Sequence, residues 1–342
     1  MAVAPRESPI RVLMITAGWP QPGQPQTTHF VKRQAEFLRR AGVLVDVFHF
    51  RGAKRPWNYA RAWLGVRPRI RSGQYDLVHA QFGQSGVLAL PKCLPLVVTL
   101  RGSDILGIVG PNGRHTLAGR VSQWVTRVAV KRADAVVVVS EHMKAYFQSA
   151  APVAVLPSGI DFELFDTMPR DEARARLGWR LDQRLVLFAG NPEQPRKRFA
   201  LAKAAVELLN RTLPAELVVA WGVPHTDVPL YMNACDAFVF TSMQEGSPNV
   251  VKEALACDLP VVSVPIGDTA ERLQGIDGCE LVPDERPEAV AAALERVLRR
   301  GGRVAGRVAV AHLAEEAITA RLIEVYRHAI GRRDPVGTGV TT

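Results

Sequence analysis

The chain has 342 residues, long enough for two domains with a full core each. Its 47% hydrophobic and 22% charged residues describe a soluble globular protein, and no apolar stretch reaches the roughly 18 residues that cross a bilayer. The net charge of +10 is unevenly placed: residues 1–165 hold 21 Lys/Arg against 9 Asp/Glu, and the remainder 22 against 24. The positive field therefore belongs to the first half and draws it toward a polyanion or an anionic membrane face. Residues 1–18 lack the order of a secretory leader. The four cysteines, Cys93, Cys235, Cys257 and Cys279, have no C-x-x-C spacing. That speaks against a metal site and for reduced thiols in the cytoplasm.

Strand and helix patterns alternate from the start. Arg11 to Ile15 reads as a strand, Phe30 to Ala41 as a helix ended by Gly42, and Val43 to Phe50 as a second strand. Asp76 to Ala80, Leu96 to Leu100, Ala135 to Val139 and Val153 to Leu156 are further strands, with a helix over Val121 to Lys131. The charged stretch Asp166 to Asp182, with a short helix, is the expected inter-domain connection. A second series begins with a strand at Arg184–Phe188. It continues through a helix over 197–210, strands 216–221 and 237–240, a helix over 248–257, a strand 260–264, and helices 268–274 and 287–300. Glu315 to Ile330 is a last amphipathic helix, and the Gly-, Arg- and Thr-rich tail 331–342 is expected to be flexible. Such order predicts an α/β protein of two doubly wound, Rossmann-like domains, 1–165 and 166–314.

Two carboxylates separated by seven residues, Glu245 and Glu253, bracket a readable piece of local physics. Ala237 to Phe240 is a short buried strand, and Thr241 to Gly246 a polar turn. Ser247-Pro248 reads as an N-cap followed by a proline at the first helical position. The first-turn N–H groups have no helical partners and point at whatever lies beyond the strand end. Glu245 sits just before those donors and Glu253 on the helix, about a turn and a half in. A site of this kind offers N–H groups to an oxygen-rich ligand and two carboxylates to hydroxyls, as a nucleotide sugar requires.

Residues 51–71 hold seven Lys/Arg and no acid, with Trp57, Tyr59 and Trp63 interleaved. Three readings stay open: an anionic membrane surface, a nucleic acid, or an exposed loop with buried tryptophans.

The string Ser242-Met-Gln-Glu245-Gly246-Ser-Pro248, then Glu253-Ala254-Leu-Ala256 and Pro260-Val261, resembles the retaining glycosyltransferases of family 4. Ile266-Gly267-Asp268-Thr-Ala-Glu271 looks like that family's next element. The resemblance implies the GT-B arrangement of two Rossmann-like domains facing a cleft, with helix 315–330 crossing back to the first domain. By resemblance, Glu253 binds the nucleotide ribose and Glu245 the sugar hydroxyls. The backbone from Gly246 through Ser247, Pro248, Asn249 and Val250 supports the sugar.

The other motifs match with departures. Thr99-Leu100-Arg101-Gly102-Ser103-Asp104 resembles T-x-H-G-x-D with Arg101 in place of the histidine that lies beside the transferred sugar. An arginine stays charged and cannot shuttle a proton, but it can clamp a carboxylate or phosphate. The residue reading of Asp104 as a cap of the next helix stays open beside a site role. Gly190-Asn191 stands where the family has G-R, and Lys197 stands at the diphosphate-binding lysine, with Arg196 or Arg198 able to restore the missing charge. Gly18 and Gly23 lie in a proline-bearing loop where the family carries a glycine-rich one over the donor phosphates; a plain strand-helix connection is the other reading. His79 and the Leu156–Phe165 turn, where Ser158 replaces the usual asparagine, read as structural.

The resemblance implies a retaining glycosyltransferase acting on a nucleotide diphosphate sugar. Its acceptor would be a glycan, a lipid-linked saccharide or a small molecule, in a setting such as surface-polysaccharide synthesis. No D-x-D motif occurs, so no essential metal is expected; nor is a nucleic-acid partner. The expected place is the cytoplasm, including the inner face of the cell membrane. A non-catalytic sugar-binding protein of the same fold and a nucleotide-sugar epimerase are the alternatives.

Overall fold

The structure, a computed structural model, describes residues 8–20, 28–52, 55–107 and 116–332. The expectations for Gly23 and its loop and for the tail beyond residue 332 lie outside these. Eleven strands are present among the described residues: β1 (Arg11–Thr16), β2 (Leu44–His49), β3 (Leu77–Gln81), β4 (Leu96–Leu100), β5 (Ala135–Val138), β6 (Val153–Val155), β7 (Leu185–Ala189), β8 (Glu216–Ala220), β9 (Ala237–Phe240), β10 (Val261–Ser263) and β11 (Glu280–Leu281). They form two parallel sheets, ordered β2-β1-β3-β4-β5-β6 and β11-β10-β9-β7-β8. The apolar runs of β3, β4, β5 and β9 are buried along their whole length, as strands covered on both faces must be.

Strand order fixes where a ligand can go. In the second sheet β7 has β8 on one side and β9 on the other. The loops leaving β7 and β9 therefore diverge, and a crevice opens between them at the carboxyl ends. In the first sheet the same divergence lies between β1 and β3. Register aligns Thr16 with Gln81 and Gln81 with Thr99, so the loops after β1, β3 and β4 leave from one edge.

The halves are not independent. One apolar cluster runs from Met14 and Leu38 through Ile160, Phe165 and Tyr326 to Phe238 and Leu255. Helix Glu315–Gly331 packs against helix His29–Arg40, and the Tyr326 hydroxyl lies 2.6 Å from His79 Nδ1. His79 Nε2 is 2.7 Å from Thr99 Oγ1, so this histidine is a satisfied core residue; burial, with Arg101 adding, lowers its pKa to about 3.

Segment 166–182 is more than a connection. Its helix Arg170–Leu177 packs on helix Val228–Ala234, and the fully buried Arg174 donates to the Ala234 carbonyl at 2.8 Å and to Asp236 Oδ2 at 2.8 Å. The stretch 51–71 differs from the buried-tryptophan reading. It carries the helix Pro56–Ile70, with Ala62, Val66 and Ile70 against the first sheet and Trp57 73% exposed. Trp63 is held at the surface by a 2.7 Å bond from Nε1 to the Leu90 carbonyl.

Candidate active site

Two loops meet at the crevice of the second sheet. The loop after β7 makes one tight turn over Pro195–Lys197, and the loop after β9 carries Glu245. Oε1 of Glu245 accepts from Lys197 Nζ at 2.6 Å and from Arg196 Nη1 at 2.8 Å. Burial pushes this carboxyl up, but Lys197 and Arg196 prevail and hold it below the usual carboxylate range. Arg198 turns away to Glu285 and the Thr241 carbonyl, so Arg196 is the cation that joins Lys197.

Gly246 is where the second half touches the first. A Cβ there would stand 2.8 Å from the Arg101 carbonyl oxygen and 3.0 Å from Val139 Cγ2, so no side chain fits without a shift. The Gly246 carbonyl accepts from Ser140 Oγ at 2.7 Å. The expected Ser247 cap is not made. Ser247 Oγ donates to Asp268 Oδ2 at 2.8 Å, which turns the hydroxyl toward that carboxylate, and the helix begins at Asn249 with Pro248 in the N-cap position. Its first-turn N–H groups are left for a ligand.

On that helix, Glu253 is buried, with Oε1 3.6 Å from His225 Nε2 and 3.7 Å from Arg33 Nη1. Burial raises its pKa, but His225, Arg33 and Lys252 outweigh it and leave the carboxylate below its ordinary range. Arg33 also donates through Nε to Glu315 at 3.0 Å and through Nη2 to the Gly159 carbonyl at 2.6 Å. Lys252 is fully buried and donates to the Ser158 carbonyl at 2.9 Å; burial lowers its pKa to about 8. Helix, hinge turn and returning helix are thus bound around Glu253.

From the first half, Arg101 reaches the same space. Nε donates to Gln81 Oε1 at 3.1 Å, Nη1 to Ser158 Oγ at 2.7 Å, and Nη2 to Gln81 Oε1 at 2.8 Å and Gln34 Oε1 at 3.2 Å. Its guanidinium carbon lies 4.6 Å from the centre of the Phe30 ring. Asp104 has a different place from the expected one. Its buried carboxylate accepts the backbone N–H groups of Gly102 at 2.9 Å, Gly83 at 3.0 Å and Arg101 at 3.1 Å. It shapes the loop that presents Arg101 and does not line the cavity.

These groups surround one cavity of about 270 Å³ between the halves. The second half contributes Lys197, Glu245, Ser247, Pro248, Asn249, Val250 and Glu253, and the first half Phe30, Arg33, Arg101 and Ser158. His29 and His225 both line it and stack against each other. Gly18, Gly190, Asn191, Arg196 and Gly246 stay outside the lining. Gly18 closes a local turn with Thr16, Gly190 packs beside the Lys197 side chain, and Asn191 Oδ1 accepts the Glu193 N–H at 2.9 Å. Thr28, His29, Phe30, Arg33, Val139, Ser158, Ala189 and His225 are the lining residues that sequence reasoning did not assign. Two cations beside a helix start can neutralise a leaving diphosphate, and the carboxylates can accept from sugar hydroxyls. Among the described residues no group of three His, Cys, Asp or Glu is arranged to hold a metal ion, and no helix is long and apolar enough to cross a membrane.

Comparison with known proteins shows the family and the fold. The family model described as "Glycosyltransferase Family 4" matches residues 5–164, and that described as "Glycosyl transferases group 1" matches residues 172–300. TuaC of Bacillus subtilis, named for teichuronic acid biosynthesis, is 32% identical over 245 residues, 65% of this chain and 61% of that protein. D-inositol 3-phosphate glycosyltransferase 1 of Catenulispora acidiphila is 30% identical over 319 residues, 77% of this chain and 75% of its own. Among solved structures, sucrose-phosphate synthase from Thermosynechococcus elongatus superposes with a TM-score of 0.78 at 20% identity, covering 94% of this chain and 100% of that one. HepE of Anabaena, solved with UDP-glucose, gives 0.60 at 17% identity over 96% and 100%. These structures carry the same two-domain GT-B fold. With matching models on both halves and a relative aligned over three quarters of its length, the chain belongs to glycosyltransferase family 4.

Proposed function

We propose that this glycosyltransferase takes its sugar from a nucleotide diphosphate donor and retains the anomeric configuration. The observation that carries the reading is the convergence of Glu245, Lys197 and Glu253 at one interdomain cavity, with Arg196 bonded to Glu245 from outside its lining. Lys197 and Arg196 receive the diphosphate, Glu253 the ribose, and Glu245 with the backbone of Gly246–Val250 the sugar. HepE, of the same fold, was solved with UDP and with UDP-glucose, which supports a donor of that class. Cations already at the site supply the charge a leaving diphosphate needs, so the reading requires no metal. The position of Arg101 leaves no proton shuttle there, in keeping with same-face attack assisted by the leaving phosphate.

The acceptor is a glycan or a lipid-linked saccharide, and the setting surface-polysaccharide synthesis at the cytoplasmic face of the membrane. Likeness to TuaC supports the setting. Helices Pro56–Ile70 and Leu117–Val130 support the place. They lie on the same side of the first sheet, neither contains an acid, and they expose Trp57, Leu64, Leu117, Val121 and Trp124. Cationic helices with interfacial aromatics suit an anionic bilayer surface.

The test is transfer or hydrolysis of uridine and guanosine diphosphate sugars, with the product anomer read by NMR. An axial donor should give an axial product, and Lys197→Met should lower turnover at least about 100-fold. An inverted anomer, or full turnover in that variant, would refute the assignment.

A further inference from the structure

The cations around the cavity differ in one respect. Lys197 and Arg196 pair with Glu245, and Arg33 with Glu253 and Glu315. Arg101 pairs with no carboxylate among the described residues. Its partners are two amide oxygens, a hydroxyl and an aromatic face, all neutral. The nearby acids are committed elsewhere: Asp104 to backbone N–H groups, Glu315 to Arg33. Four of the five guanidinium N–H groups are engaged, leaving one on Nη1. A partly buried cation held only by neutral dipoles lacks the countercharge that normally offsets desolvation. Gln81, Gln34, Ser158 and Phe30 nevertheless fix its plane and hold the remaining Nη1 N–H for one charge-assisted bond to an anionic oxygen.

We propose that Arg101 receives an anionic oxygen group of the substrate, making the enzyme selective for an acidic sugar. The group is a carboxylate on the transferred sugar or a phosphate on the acceptor; both present the oxygens that a guanidinium recognises. The donor diphosphate is a poorer fit, because Lys197 and Arg196 serve it from the opposite domain. This inference rests on the proposed nucleotide-sugar reading.

The experiment measures affinity by calorimetry for matched pairs, with UDP and GDP alone as references. In the donor arm the pairs are UDP-glucose with UDP-glucuronate and GDP-mannose with GDP-mannuronate. In the acceptor arm, glucose and glucose 6-phosphate are added to the nucleotide-bound enzyme. The anionic member of one arm should bind about tenfold or more tighter, and Arg101→Gln should erase that ratio. A merely structural loss would leave the ratio in place while lowering affinity throughout. Equal affinity within every pair, or a preference that survives Arg101→Gln, would overturn the proposal. Failure of every nucleotide to bind would take down the underlying reading and this inference together. Should Arg101→Gln not fold, the ratios in the unaltered protein decide alone.

Discussion

His29 and His225, one from each half of the molecule, stack against each other with ring centroids 4.3 Å apart and planes 11° from parallel. Nε2 of His29 is buried without a partner among the described residues. Burial lowers the His29 pKa to about 4, with His225, Arg33 and Lys32 adding to the effect and Glu253 opposing it. Protonation is therefore disfavoured in the folded protein. The stability this provides is complete above the ordinary value of 6.5 and is lost as the pH falls toward 4. His29→Phe should flatten the pH dependence of the melting temperature between those limits, by about 1 kcal/mol once solvent screening is allowed for. A variant that parallels the unaltered protein throughout would show that the pair does not sense pH.

Glu245 and Lys197 act as a unit because one oxygen serves two cations. Glu245→Gln and Lys197→Met should each cost at least about 100-fold in kcat/KM, and the double variant far less than the product of the two. A double-mutant cycle on donor turnover measures this; strict additivity would count against the shared role.

Gly246→Ala places a methyl group 2.8 Å from the Arg101 carbonyl. Relief requires the two loops to separate. A loss of about 1–3 kcal/mol of stability is expected, together with weaker donor binding. Chemical denaturation and calorimetry check the two effects separately.

Glu315 is buried against Arg33, whereas its neighbour Glu316 is exposed. Glu315→Ala should cost about 3–5 kcal/mol by leaving a buried guanidinium short of a partner, and Glu316→Ala close to nothing. Urea denaturation compares them.

Flotation with anionic liposomes should require the exposed aromatics. Trp57→Ala combined with Trp124→Ala should abolish it, and 0.5 M salt should weaken it through screening. Unchanged flotation in the double variant would remove the membrane face proposed above.

Much of the fold is legible in the sequence because parallel strands buried on both faces are predominantly apolar. Ala135–Val138 and Ala237–Phe240 announce themselves this way. Helix Pro56–Ile70 hides. Its apolar residues lie all round it, Pro68 interrupts it near the end, and no acid balances its cations, so no stripe of helical period stands out. The site divides along the same line. Glu245, Glu253 and Lys197 stand in strings whose spacing is itself informative. His29, Arg33 and His225 have no local mark, because only closure of the two halves brings residue 29 against residue 225. The Ser247 cap fails for a related reason: Asp268, 21 positions away, takes its hydroxyl.

The returning helix has a consequence for biosynthesis. Ile318, Leu322 and Tyr326 belong to the same apolar cluster as Met14 and Leu38, strands and helices made at the opposite end of the chain. A nascent polypeptide emerging from the ribosome would hold that oily surface uncovered until residues 315–331 had been made. The half translated first is the half completed last.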